Sequence, residues 1–208
     1  MKTKLTQILQ TGLLIAAVAL LGAACSTTSS SKAKPLKAAN VGDVDLKKYQ
    51  VATVAPFGVP PDGKVDASVG AKFAEDVAVR IQKDFGPLFN QVRKESPLCR
   101  EDEVIVSGTI RTYRPGSRFA RGMLIGLGSA SFKGDLILKN GKDQRVLLTA
   151  PFDKLWAWGG ILGMSKGIED MTAEAAAAVA RTVAHAKGWQ PDTAAAPAKP
   201  VEGAATPK

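Results

Sequence analysis

Four arginines crowd one stretch of the chain. Arg111, Arg114, Arg118 and Arg121 fall within eleven residues, around Pro115-Gly116-Ser117. Guanidinium forks gathered at a turn can grip a phosphate or a carboxylate; the same pattern also suits a solvated loop with ordinary surface charge. Ten of the twenty glycines lie between Gly116 and Gly167. They include two similar pieces, Arg121-Gly122-Met123-Leu124-Ile125-Gly126-Leu127-Gly128 and Trp158-Gly159-Gly160-Ile161-Leu162-Gly163-Met164. Neither supplies the GxxxxGK[ST] of a phosphate loop nor the GxGxxG of a dinucleotide loop, so a nucleotide site is not expected. Glycines among aliphatic residues let two backbones approach closely. That leaves internal packing of two loops, or a self-association or membrane-facing surface through Gly122, Gly126, Gly128, Gly159, Gly160 and Gly163. Trp156 and Trp158 flank Ala157, so in a strand both rings leave on one side. They could stack on a sugar, sit at a membrane interface, or pack in a core or between subunits. His185 stands alone, with no nucleophile or paired carboxylate placed near it by any motif. Glu101-Asp102-Glu103 reads as a solvated acidic loop. No catalytic residue, cofactor or metal site is expected.

Composition narrows the classes further. The chain has 208 residues, 45% hydrophobic and 23% charged, with one His and two Cys. Those are globular values for a single domain plus terminal segments. A zinc site built from several His and Cys ligands is excluded, as is a disulfide-dense scaffold.

The N-terminus reads as an address. Lys2 and Lys4 precede an uncharged apolar run, Gly12 to Ala24. Thirteen helical residues span about 20 Å, short of a bilayer core of about 30 Å, which is secretory-signal architecture. Leu21-Gly22-Ala23-Ala24-Cys25 then resembles the lipobox of bacterial lipoproteins, in a relaxed form, because Gly22 stands where Leu is commonest. The resemblance implies cleavage after Ala24 and lipidation of Cys25; ordinary cleavage with an incidental thiol is the alternative. Ser26 after the Cys resembles lipoproteins sorted to the outer membrane. Residues 25–43 read as a flexible polar tether with nothing to bury, residues 44–189 as the folded body, and residues 190–208 as a disordered Ala/Pro-rich tail. Losing Lys2 and Lys4 from 28 basic residues, against 19 acidic ones, leaves the processed chain at +7. Such a charge favours anionic partners: lipid headgroups, lipopolysaccharide or peptidoglycan. Nucleic acid is not expected outside the cytoplasm. With Cys25 acylated, Cys99 has no partner in the chain. It is expected as a buried small hydrophobe, with an intermolecular link or stray thiol as alternatives.

Periodicity fills in the body. Tyr49 to Ala55 reads as a buried strand. Val69, Phe73, Val77 and Ile81 predict an amphipathic helix from an N-cap at Ser68 to Gly86-Pro87. Leu88 to Arg93 could be a short strand. Val104 to Tyr113 is the strongest strand, with Val104, Val106, Gly108 and Ile110 on one face. Phe132 to Leu138 follows, then Asn140-Gly141 as a two-residue hairpin turn, then Val146 to Trp156 with Val146, Leu148, Ala150 and Phe152 in phase. An Ala-rich helix over 172–187 ends at Gly188. The expected class is α+β: a small, mostly antiparallel sheet, with an amphipathic helix after the first strand and a C-terminal helix packed on one face.

Several of these pieces together resemble a family. Ile105 to Tyr113 (IVSGTIRTY), Arg114 to Arg118, Gly126 to Ala130, and Ile168-Glu169-Asp170-Met171 before the Ala-rich helix are similar to the bacterial lipoproteins of domain of unknown function 4410. The likeness spans roughly residues 49–187 and implies an envelope address without an established activity. More distantly, element order and address are similar to periplasmic lipoproteins of the curli-secretion type. The expectation is a non-enzymatic, lipid-anchored envelope protein contacting a partner protein or anionic surface, possible as a homo-oligomer. The alternative is an oligomeric subunit of an outer-membrane secretion or channel assembly.

Overall fold

The computed structural model describes residues 34–37, 45–94, 96–117, 129–156 and 167–190, and of Trp156 the backbone alone. The first strand, β1 (Val51–Val54), is buried along its whole length. Helix α1 (Ala67–Phe85) buries Phe73, Val77 and Ile81 of the expected stripe, with Val69 half-buried and Phe85 buried at its end. Its N-cap is Asp66 rather than Ser68: the Asp66 carboxylate accepts from the Ser68 amide at 2.7 Å. A carboxylate satisfies an orphan amide and also meets the positive end of the helix dipole, which a hydroxyl does less well. A 3₁₀ turn at Gly86–Leu88 leads into the three-residue β2 (Gln91–Arg93).

Three long strands follow: β3 (Glu103–Arg114), β4 (Ala130–Asn140) and β5 (Val146–Trp156). Helix α2 (Ile168–Ala186) closes the body. Its end is a Schellman motif. The Gly188 amide bonds His185 O, the Trp189 amide bonds Ala184 O, and Gly188 takes φ +94°. Glycine is needed there because a Cβ resists that backbone region.

The sheet order is β2-β1-β3-β4-β5. β1 runs parallel to β2 and to β3, while β3, β4 and β5 form an antiparallel meander. The fold is α+β as expected, with a mixed sheet in which the long antiparallel pairs dominate. Both helices contribute to one core with the inward residues of the strands. At its centre Phe73 meets Phe57, Phe132 and Phe152, with ring centroids 4.9, 5.0 and 5.5 Å apart. Gly108 and Gly134 make room for this cluster. A Cβ on Gly108 would lie 2.5 Å from the Phe57 ring, and one on Gly134 2.4 Å from the Phe152 ring.

Several expectations need correction. The β4–β5 connection is not a two-residue turn. Asn140 N bonds Arg145 O, Gln144 carries the positive φ of 58°, and Asn140 Oδ1 accepts from the Lys142 amide at 2.8 Å. The Asn side chain thus shapes a longer loop instead of adopting the left-handed turn itself. A register shift between Leu138 and Lys139 places Leu147 opposite no single partner, so Val146 falls out of phase and is 48% exposed. Cys99 is exposed, not buried, at φ 56°. Leu36, in the segment read as having nothing to bury, packs against the core, and its amide bonds Thr182 Oγ1 at 2.8 Å.

Candidate interaction surface

At about 3.3 Å per residue, the twelve residues of β3 separate its ends by roughly 40 Å. Of the sequence-predicted site residues, Arg111, Arg114 and the backbone of Trp156 are described, and they lie toward the Arg114 end. There β3 carries a bulge: Ile110 pairs with Gly134 and Thr112 with Lys133, leaving Arg111 as the extra residue. The bulge resets the alternation. Ile110 is buried and Tyr113 packs against the core, its ring 6.2 Å from Phe132, so both Arg111 and Arg114 are exposed. Without the extra residue, alternation from Ile110 would have turned Arg114 inward.

The two arginines are not equivalent. Arg111 Nε lies 3.2 Å from Asp135 Oδ2, and Lys133 pairs with Asp153 at 2.8 Å on the neighbouring strands. These half-exposed pairs neutralise much of the outer sheet face and add little stability. Arg114 continues into Pro115 and Gly116, which has φ 66°. The structure therefore brings Arg111 and Arg114 to one end. Arg118, Arg121, Gly122, Gly126, Gly128, Trp158, Gly159, Gly160 and Gly163 lie outside the described residues, as does Cys25. What is described is where those segments leave and return. Ser117 and Ser129 bracket one of them; Trp156, paired with Ala130, and Gly167 bracket the other. Both glycine-rich pieces are inserted at the Arg114 end. Beside them Ser131 Oγ is buried and has no hydrogen-bond partner among the described residues.

The Glu103 end holds what sequence reasoning missed. Glu103, read as part of a solvated acidic trio, is fully buried. Its carboxylate accepts from Thr53 Oγ1 at 2.6 Å, from the Leu98 amide at 2.9 Å and from the Arg100 amide at 3.4 Å. The left-handed Cys99 between those two amides lets both point inward, a backbone nest closed on an internal carboxyl group. Gly141 seals the other side: a Cβ there would sit 2.7 Å from Glu103 Oε2. The carboxylate is thus held by three donors and packed against Gly141. Nearby, Asn140 Nδ2 donates to the Tyr49 hydroxyl at 3.1 Å. The Lys187 ammonium donates to Lys47 O at 3.1 Å and to Tyr49 O, 5.0 Å from the centre of the Phe89 ring. Burial pulls the Lys187 pKa down, with Asp45 opposing. Outside the network, Lys142 bonds Glu101, which lowers the Glu101 pKa and raises that of Lys142 on an exposed surface. The only hint in the sequence was a Glu in strand phase immediately before a buried run.

His185 is exposed in the last turn of α2. Among the described residues, no cluster of three or more His, Cys, Asp or Glu could hold a metal, and no helix is long and apolar enough to cross a membrane.

No family model matches this chain. No curated protein matches it either. Among solved structures, it is similar to a PelC dodecamer variant from Paraburkholderia phytofirmans. That match has 9% identity, covers 73% of this chain and 96% of that one, and has a TM-score of 0.49. A Xanthomonas campestris protein of domain of unknown function 330 matches at 13% identity over 67% and 85% of the two chains, TM-score 0.42. A candidate lipoprotein from Caulobacter crescentus matches at 15% identity over 71% and 93%, TM-score 0.35. At these identities and scores no residue role transfers to this chain.

Proposed function

We propose that this chain is a lipid-anchored, non-enzymatic lipoprotein of the cell envelope, held on the periplasmic face of the outer membrane and contacting a partner protein or an anionic envelope surface. The observation that carries the reading is Leu21-Gly22-Ala23-Ala24-Cys25 behind a charged and apolar leader, with a Ser/Thr/Lys/Pro segment after it. The resemblance of the body to domain of unknown function 4410 lipoproteins belongs to the same reading. Stable attachment takes at least two acyl chains, each buried CH₂ adding about 0.8 kcal/mol. Arg114 and the insertions at its end of the sheet are the partner-facing residues in this reading, with Arg118, Arg121 and the glycines supplying the rest. Cys25→Ser, followed by cell fractionation and intact-mass measurement, tests it. Loss of membrane association and of acyl mass is expected, and unchanged association would overturn it.

A second reading, a subunit of an oligomeric secretion or channel assembly, is favoured by one observation. Among the described residues β5 has a strand neighbour on one side only, and its Leu155 is 60% exposed. An open edge of eleven residues is a template for pairing. Mass photometry in mild detergent separates the two: a defined large ring supports the second, a monomer or dimer the first.

A further inference from the structure

The segment after the anchor is fastened to the domain at a particular place. Leu36 packs on the core and bonds Thr182, whose hydroxyl also donates to Ala178 O at 2.7 Å. Lys34 and Lys37 on either side of this clasp are exposed. The clasp lies near the C-terminal end of α2, where further cations collect. Arg181 stacks over Trp189 at 5.6 Å, and Trp189 in turn meets Phe85 at the end of α1 at 5.1 Å. The Leu46 amide bonds Ala186 O, which brings the exposed Lys47 alongside Lys187. Asp45 is the acid that the Lys187 ammonium senses there. The exposed Lys34, Lys37 and Lys47, with Arg181 and Lys187 half-buried beside them, thus share one end of the domain.

Chain length sharpens the geometry. Eleven residues from Cys25 to Leu36 span at most about 40 Å. Were the clasp absent, the next fixed point would be Leu46, and the limit would rise to about 75 Å. The clasp therefore holds one end of the domain within reach of whatever Cys25 is inserted in.

We propose that the end bearing Lys34, Lys37, Lys47, Arg181 and Lys187 is a docking face for the anionic phospholipid headgroups of the leaflet that holds the anchor, and that the Leu36–Thr182 clasp turns it toward them. The proposal rests on the lipoprotein reading for the anchor, while the docking face stands on its own charge. Lysines close to an anionic surface each strengthen binding roughly fivefold, so three together act at about a hundredfold. Lys64 and Lys72 lie toward the other end of α1, whose nineteen residues are about 28 Å long, and serve as internal controls.

Two measurements test it. The whole processed chain, acylated on Cys25, is placed in vesicles of phosphatidylcholine with or without phosphatidylglycerol, and lysine acetylation rates are read by mass spectrometry. Lys34, Lys37 and Lys47 are expected to react several-fold more slowly when phosphatidylglycerol is present, with Lys64 and Lys72 unchanged. In the second, the processed chain carrying Cys25→Ser is floated with the same vesicles. Binding to phosphatidylglycerol is expected, reduced about a hundredfold by joint Lys34→Gln, Lys37→Gln and Lys47→Gln, and little changed by Lys64→Gln with Lys72→Gln. Equal acetylation in both vesicles, no preference for phosphatidylglycerol, or equal loss in the control pair would overturn the docking face. If Cys25 carries no acyl mass, the anchor reading fails alone, and the flotation arm still decides the docking face.

Discussion

The two ends of β3 are finished in opposite ways. At the Glu103 end, a buried carboxylate, Thr53, Tyr49, Asn140 and Lys187 are joined by hydrogen bonds that tie four separate segments together. At the Arg114 end, the backbone opens into two glycine-rich insertions, and a buried hydroxyl on Ser131 goes without a partner among the described residues. Buried polar groups rigidify a fold when satisfied and cost stability when they are not. One end is thus built for fixity, and at the other two glycine-rich stretches of sequence leave and rejoin the described residues. Binding residues are commonly carried on loops that a rigid scaffold positions.

The contrast can be broken by substitution. Glu103→Ala leaves the Thr53 hydroxyl and the Leu98 amide without their acceptor, and should destabilise by about 3 kcal/mol in urea unfolding. Hydrogen exchange at Leu98 and Arg100 should rise with it; retained protection would show that the nest does not depend on the carboxylate. Gly141→Ala forces a methyl against Glu103 and Arg100 O and should cost about 2 kcal/mol. Thr182→Val removes the Leu36 acceptor and should cost about 1 kcal/mol, with faster trypsin cleavage after Lys37 as the specific sign. At the other end, Arg111→Ala, Arg114→Ala and Ser131→Ala should each stay within about 0.5 kcal/mol. A loss above 2 kcal/mol at any of the three would erase the distinction between the ends. The smallest effect concerns pH. Hydrogen bonds from Ser68 hold the Asp66 carboxyl below its usual 3.8. Its capping contribution is therefore complete above about pH 4 and is lost as pH falls through the lowered value. Asp66→Asn should keep the cap and flatten the acid limb of a melting-temperature profile.

What the sequence disclosed follows the same division. The stripe Val69, Phe73, Val77, Ile81 and the alternation along β3 and β4 are periodic, and period translates directly into burial. Two of the failures are departures from period. The bulge at Arg111 reversed the facing of Tyr113, and the shift at Leu147 put Val146 outside. Glu103 was read by its charge and its acidic neighbours, whereas its place is decided by two amides from a loop five and three residues before it. Leu36 was one apolar residue in a polar run, and its docking depends on a hydroxyl 146 residues later. Of the candidate site, strand phase placed Arg111 outward, whereas Arg114 faces out through the bulge, and the pairing of Arg111 with Asp135 required the register between strands.

The position of β1 has a consequence for how this chain is made. It lies between β2 and β3, parallel to both, so neither of its neighbours is supplied by a local hairpin. A polypeptide delivered from its amino end exposes β1 first, yet that strand cannot acquire its second ladder until Val106 has emerged. The meander downstream can assemble from contacts close in sequence, whereas β1 must wait for distant ones. Its mostly apolar side chains and briefly unpaired backbone mark the vulnerable moment in maturation, when a holding factor would do the most good.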